Sequence, residues 1–162
     1  ELHLAIGRAP AKEFAADLNF EVLQHERFSI VCGQQSRRRR LPAGTGIARL
    51  IDEPWVLPLP STPLRASLDL QFWAQCGRTP TDVIEYSSAH TGIALLRESD
   101  CVALLPSQVA ADHAQRKLLR VLVKEVPDLV GPIGVITRQG EVLPSHGLRL
   151  VEALRAHAAG LA

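Results

Sequence analysis

Short apolar runs and segments with helical periodicity alternate along this chain. The runs over residues 2–7, 55–59 and 101–105 are typical of buried strands, and helix-like segments follow the second and third of them. An alternation of this kind predicts an α/β fold of three layers with mostly parallel sheets.

Two long extended runs, near residues 20–32 and 118–137, lie on either side of most of these units. Strands of that length can connect two lobes. We therefore predict part of lobe I over residues 1–24, lobe II over residues 25–131 and a return to lobe I over residues 132–162. The first strand has no crossover helix before it, as parallel strands usually have, so we expect an earlier part of lobe I to be absent from this sequence.

The best-defined helix follows the run over residues 55–59. Thr62 can cap its start, Pro63 suits its first position, and Gly77 is a common helix stop. Its apolar face is formed by residues that recur at every fourth position: Leu64, Leu68, Phe72 and Cys76.

Paired hydroxyl residues follow two of the predicted strands. Ser61 and Thr62 come after the strand just described, and Ser87 and Ser88 come after a strand over residues 82–85. A helix-like segment begins at each pair, so both pairs can serve simply as helix caps. Ligands of open α/β sheets collect at the carboxyl ends of the strands, so the same pairs also predict a site for a small polar or anionic ligand. Both explanations stay open on the sequence.

The composition narrows the range of functions. The chain has 162 residues, an apolar share of 46% and a formal net charge of +1, which fit a globular domain and give little support to nucleic-acid binding by the chain itself. We expect no membrane span and no signal peptide. Cys32, Cys76 and Cys101 are odd in number and lack zinc-site spacing, so we expect reduced thiols in a cytoplasmic protein, with no metal and no cofactor.

No set of residues in the sequence suggests catalysis. The six histidines lack metal-binding spacing, and Gly44-Thr45-Gly46 lacks the rest of a dinucleotide-binding fingerprint. A nucleophile elbow of the form Gly-x-Ser-x-Gly does not occur. We therefore expect no enzymatic activity.

Two arginine features carry different predictions. Arg8 follows the first strand directly after Gly7, so it is either a solvent-exposed side chain or a residue that pairs with a ligand carboxylate at the strand end. Arg37–Arg40 form the only run of charge, and because no aromatic residue is interleaved with it, we predict a solvated loop.

Five segments, in order along nearly the whole chain, resemble the effector-binding domain of LysR-type transcriptional regulators. They are Leu2–Arg8, Glu53–Pro58, Ser61–Arg65, Ser99–Pro106 and Gly131–Arg138. The resemblance implies a fold like the type 2 periplasmic binding proteins, with two α/β lobes that are crossed by two strands and a ligand between them. It also implies that the winged helix-turn-helix DNA-binding domain and the linker helix of the family are absent from this sequence.

The resemblance further implies a cytoplasmic regulator that senses a small metabolite, with carboxylates among the candidate effectors. Such a regulator dimerises through this domain, assembles as a tetramer and contacts DNA only through the missing domain. The effector site implied in this chain comprises six residues: Arg8, Ser61, Thr62, Pro63, Ser87 and Ser88.

A solute-binding protein of the same fold that serves a transporter is the alternative from another functional class. Sequence upstream of this chain would separate the two hypotheses. A helix-turn-helix there favours the regulator, and a secretion signal favours the transporter component.

Overall fold

The computed structural model describes residues 3–9, 16–38, 41–42, 45–126 and 129–160, and eight strands and four α-helices are found among them. The strands are β1 (Leu4–Arg8), β2 (Leu18–Gln24), β3 (Phe28–Gly33), β4 (Trp55–Pro58), β5 (Val83–Tyr86), β6 (Val102–Pro106), β7 (Leu119–Val126) and β8 (Ile133–Arg138). The helices are α1 (Pro63–Cys76), α2 (Ala89–Arg97), α3 (Ser107–Gln115) and α4 (Ser145–Ala159), and a 3₁₀ helix covers Ile47–Leu50.

The chain divides into two compact units. Unit 1 consists of Glu1–Glu26 and Gly131–Ala162, and unit 2 consists of Arg27–Val130. Each of the two long extended runs noted in the sequence is divided between the units, because β2 and β8 belong to the sheet of unit 1 whereas β3 and β7 belong to the sheet of unit 2.

Unit 1 is built on a three-stranded sheet in the order β1-β8-β2, and both pairings are antiparallel. Its helix α4 packs against β2, with Val135 of β8 and Val151 of α4 buried. Gly134 lies in the central strand, where a Cβ atom would stand 2.2 Å from the carbonyl oxygen of Glu21. The close approach of the two strands therefore requires glycine at this position.

Unit 2 has a five-stranded sheet in the order β5-β4-β6-β3-β7. Successive residues of β4 face opposite sides of it, as the pleat requires. Trp55 packs with Leu68 and Phe72 of α1 on one side, its ring centroid 5.2 Å from that of Phe72 in an edge-to-face arrangement. Val56 packs with Leu96 of α2 on the other side, so unit 2 has the three layers that the alternation of elements predicts.

The α/β class is confirmed, but the prediction of mostly parallel sheets needs correction, because the sheet of unit 1 is antiparallel and the sheet of unit 2 is mixed. In unit 2, β4 pairs in parallel with β5 and β6, as expected for strands joined through helices. β3 has no such connection to its neighbours. It lies between β6 and β7 and pairs with both of them in the antiparallel direction.

Candidate functional site

The carboxyl ends of β4, β5 and β6 lie at one edge of the sheet in unit 2, because these neighbouring strands run in the same direction. We call this the carboxyl edge. Pro58 of β4 is level with Tyr86 of β5, and the Leu59 N–H extends the pairing with a 3.2 Å hydrogen bond to the carbonyl oxygen of Tyr86. Ser61–Thr62 and Ser87–Ser88 follow directly, so the two predicted hydroxyl pairs lie at the same edge. Helices α1, α2 and α3 also begin at this edge.

Thr62 caps α1 in the way the sequence predicts. Its Oγ1 accepts a hydrogen bond from the Arg65 N–H at 3.3 Å and donates one to the Leu59 carbonyl oxygen at 2.8 Å. Pro63 is the first helical residue, and Gly77 ends the helix in the left-handed region with a φ of 66°. The hydroxyl of Thr62 is thus engaged as acceptor in the helix cap and as donor to the turn that precedes the helix.

The other hydroxyl groups are differently placed. Ser61, Ser87 and Ser88 are exposed, as is Pro63. Ser88 occupies the N-cap position of α2, but its side chain makes no capping hydrogen bond. The start of the helix is instead held by the backbone, with the N–H of Gly92 donating to the Ser88 carbonyl oxygen at 3.1 Å. Side-chain capping therefore does not explain the serine at this position.

Tyr86 fixes the start of α2 against the end of β5. Its ring is half-buried, and a Cβ atom at Gly92 would make a tight contact of 3.2 Å with it, which glycine avoids in the first turn of α2. Burial raises the pKa of the Tyr86 hydroxyl above its ordinary value.

Arg65 lies below the carboxyl edge, with 12% of its side chain exposed. Its Nη1 donates to the Pro58 carbonyl oxygen and to Oε1 of Glu85, both at 3.1 Å. Its Nε lies 3.0 Å from each carboxylate oxygen of Asp69, one helical turn along α1. Arg65 is not among the site residues predicted from the sequence. The i, i+4 spacing of Arg65 and Asp69 was the only local signal of this network.

Arg8, the predicted site residue of unit 1, is neither fully solvated nor free. Its guanidinium forms an ion pair with Glu26 and donates from Nη1 to the carbonyl oxygen of Gly131 at 2.6 Å. The side chains of Arg8 and Glu26 are 33% and 19% exposed. Arg8 thus already holds a carboxylate, and that carboxylate belongs to its own unit.

The prediction of a solvated arginine loop is wrong for Arg38. Its side chain is only 20% exposed, and its Nε donates to Oε2 of Glu53 at 3.0 Å while its Nη1 lies 3.6 Å from Oδ1 of Asp100. Arg37 is exposed, as predicted. Residues 39–40 lie outside the described part of the chain.

Unit 1 contains a groove of about 290 Å³ between α4 and the strands β2 and β8. At the groove, Arg155 pairs with Glu21 through two hydrogen bonds of 2.5 and 2.8 Å. These bonds hold the pKa of Glu21 below its ordinary value. The residues that line the groove all belong to unit 1, and Arg8 is not among them.

The described residues contain neither a metal-binding cluster nor a membrane-spanning helix. Among them, no three histidine, cysteine or acidic side chains come together in a way that could hold a metal ion. None of the described helices combines the length and the apolar character that a membrane crossing requires.

Comparisons with known proteins agree on one kind of domain. The chain is 26% identical over 155 residues to the uncharacterized HTH-type transcriptional regulator YdcI of Escherichia coli, covering 96% of this chain but only 50% of YdcI. The chain therefore spans about half the length of this curated relative.

Two solved structures share the fold. The BenM effector-binding domain with its effector benzoate matches with a TM-score of 0.68 and 19% identity, over 98% of this chain and 70% of that one. The CcmR regulatory domain of Synechocystis PCC6803 in complex with 2-PG matches with a TM-score of 0.73 and 16% identity, over 96% of this chain and 73% of that one. The model of the LysR substrate-binding domain matches residues 1–159, and the chain therefore belongs to this family.

Proposed function

We propose that this chain is the effector-sensing domain of a LysR-type transcriptional regulator and that it binds a small metabolite without transforming it. The observation that carries the proposal is the pair of hydroxyl-bearing turns on neighbouring parallel strands, in a chain of the substrate-binding family. Three of the four hydroxyl-bearing side chains are exposed, and those of Ser61 and Ser88 have no capping role that would explain them.

The effector that we propose is a small carboxylate. The exposed hydroxyl groups of Ser61, Ser87 and Ser88 and the backbone N–H groups at the starts of α1 and α2 can donate to carboxylate oxygens, and the N-terminal ends of helices favour negative charge. The BenM domain, which shares the fold, has the carboxylate benzoate as its effector. Arg8 of unit 1 is a further residue that we propose for carboxylate recognition, on the ground that its guanidinium already holds one carboxylate.

The proposed site comprises the six residues identified in the sequence: Arg8, Ser61, Thr62, Pro63, Ser87 and Ser88. We propose that units 1 and 2 correspond to lobes I and II, with the hinge in the segments where the chain passes between them. Binding of the effector then shifts the population of conformations of the domain. Such couplings between ligand and conformation are typically worth about 1–3 kcal/mol.

The remaining expectations for the whole protein follow from the same proposal. The regulator acts in the cytoplasm, forms dimers and tetramers, and contacts DNA through a separate helix-turn-helix domain. With a formal net charge of +1, this chain offers little electrostatic attraction to DNA phosphates. A mobility-shift assay on the isolated chain should therefore show no sequence-specific binding at physiological salt.

A thermal-shift screen of small carboxylates, with benzoate as the first member, tests the proposed site. A ligand at about a hundred times its Kd adds about 2.7 kcal/mol of stability, which is readily measured. The double variant Ser61→Ala/Ser88→Ala should keep the stability of the ligand-free protein, since neither side chain caps a helix, and should lose most of the ligand-induced shift. Thr81→Ala, an exposed hydroxyl residue that precedes β5, is the matched control.

Thr62→Ala gives a different expected pattern. It should cost about 1 kcal/mol of stability through the lost cap, whether or not an effector is present. A full ligand-induced shift in the Ser61→Ala/Ser88→Ala variant would remove the carboxyl edge from the effector site. A shift that is lost equally in Thr81→Ala would have the same consequence.

A further inference from the structure

Arg65 connects the two hydroxyl-bearing turns of the carboxyl edge. Its Nη1 donates to the carbonyl oxygen of Pro58, three residues before Ser61, and to the carboxylate of Glu85, two residues before Ser87. Its own backbone N–H donates to the Oγ1 of Thr62. One residue of α1 thus contacts the end of β4, the end of β5 and the cap of its own helix.

The orientation of the Arg65 guanidinium is fixed by Asp69, one helical turn along α1. Both carboxylate oxygens of Asp69 lie 3.0 Å from Nε, and the arginine side chain is 12% exposed. A planar guanidinium can serve three acceptors at set angles, whereas the ammonium group of a lysine is a single point of charge. The geometry therefore depends on arginine and not on positive charge alone.

We propose that Arg65 is a positioning residue of the effector site, which holds the Ser61–Thr62 turn and the Ser87–Ser88 turn at a set separation. It acts through the ends of β4 and β5 and does not contact the ligand. The proposal rests on the proposed function, since it assumes that these two turns bind the effector together. Its consequence is that effector affinity depends on a side chain that lies below the site.

Amide hydrogen exchange in the native state can detect this role without any ligand. The Leu59 N–H donates to the Tyr86 carbonyl oxygen at the end of the β4–β5 pair that Arg65 contacts. At the other end of the same strand pair, the Trp55 N–H donates to the Asp82 carbonyl oxygen at 2.9 Å. The Trp55 amide is therefore the internal reference. Loss of a positioning contact should open the first bond and spare the second.

The variant to measure is Arg65→Lys, which keeps the positive charge but replaces the planar guanidinium with an ammonium group. We expect the Leu59 amide to exchange about tenfold faster relative to the Trp55 amide, because a bond to a charged group has been lost at that end only. Arg78→Ala is the matched control, since Arg78 forms an exposed ion pair with Asp52 near the start of β4. It should leave the ratio of the two exchange rates unchanged.

A uniform change at both amides, or no change at either, would overturn the proposal, because Arg65 would then contribute only to overall stability. If Arg65→Lys does not fold, Asp69→Asn provides the same test. It leaves the arginine in place and weakens the group that orients it, and the exchange ratio should rise in the same direction.

Titration with benzoate separates this proposal from the proposed function. A selective increase in exchange together with a benzoate Kd about tenfold higher in Arg65→Lys supports the positioning role. A selective increase with an unchanged Kd overturns it, because the turns would then be positioned for something other than the effector. If the unaltered protein does not bind benzoate, that result counts against the proposed carboxylate class, while the exchange ratio still decides whether Arg65 positions the turns.

Discussion

Replacement of Arg8 and of its partner Glu26 should change effector affinity in opposite directions. Arg8 holds Glu26 and the carbonyl oxygen of Gly131, the two residues at which the chain leaves unit 1 and returns to it. We expect an effector carboxylate to bind the same N–H groups of Arg8 that hold Glu26 and so to compete with that carboxylate. Removal of the competitor should therefore strengthen effector binding, and removal of the arginine should weaken it.

The cost to stability follows from the burial of the pair. Fully exposed ion pairs contribute about 0–1 kcal/mol, and hydrogen bonds to charged groups contribute about 1.5–3 kcal/mol. Arg8 and Glu26 are 33% and 19% exposed, so the pair lies between these limits. Arg8→Ala should lower the free energy of unfolding by about 1–2 kcal/mol, because it leaves a mostly buried carboxylate without its partner. Glu26→Gln should cost less, since the amide oxygen can still accept a bond from Arg8.

Urea denaturation gives the stabilities, and calorimetric titration with the carboxylate found by thermal shift gives the affinities. We expect Arg8→Ala to raise the Kd by about tenfold or more and Glu26→Gln to lower it by up to about tenfold. Arg116→Ala, in an exposed pair with Asp112, should change neither quantity. A Glu26→Gln variant that binds the effector more weakly, in parallel with Arg8→Ala, would refute the idea that effector and Glu26 compete for the same guanidinium.

Three further predictions follow from the contacts of single residues. Gly33→Ala should destabilise unit 2 severely, because a Cβ there would stand 2.1 Å from a backbone carbonyl oxygen at the end of α2; thermal unfolding would contradict this if the melting temperature were unchanged. Cys76 should react with a thiol reagent in the native protein, whereas Cys32 should react only on unfolding, since it is buried and burial raises the pKa of its thiol. Modification of Cys32 before Cys76 in the native protein would contradict this prediction. The bonds from Arg155 lower the pKa of Glu21, so their stabilisation is present above the ordinary glutamate pKa of about 4.3 and is lost as the pH falls through the lower, folded value. Arg155→Ala should flatten that acid dependence in a pH series of urea melts, and an unchanged acid limb would contradict the assignment.

Helix α1 shows what the sequence alone can specify. Its cap at Thr62, its first residue Pro63, its apolar spacing and its stop at Gly77 are all signals within fifteen or so neighbouring positions, and each has a local physical cause. The buried strands β4 and β6 are similarly evident from their apolar runs, whereas β1, which the sequence predicts to be buried, is only half-buried. The position of the hydroxyl pairs at strand ends follows from these elements, because each pair lies between a strand and a helix.

The direction of β3 shows what the sequence cannot specify. Its residues Phe28–Gly33 are all buried, which is compatible with a central strand that runs either way. Direction is decided by the partners, and these come from β6 and β7, which lie far along the chain. The alternation of strands and helices correctly predicts the common direction of β4, β5 and β6 but carries no information on a strand that enters without a crossover helix.

The ion-pair partners of the arginines could not be predicted from the sequence either. In unit 2, Arg38 and Arg65 find their partners at opposite edges of the sheet. Arg38, one member of the run that the sequence predicts to be solvated, binds Glu53 ahead of β4 and Asp100 ahead of β6 and so joins the segments that lead into these strands. At the carboxyl edge Ser61, Ser87 and Ser88 are exposed, and Arg65 bonds to the ends of β4 and β5. Ion pairs thus hold strand ends at both edges of the sheet, and at the carboxyl edge they leave Ser61, Ser87 and Ser88 exposed for the ligand that we propose.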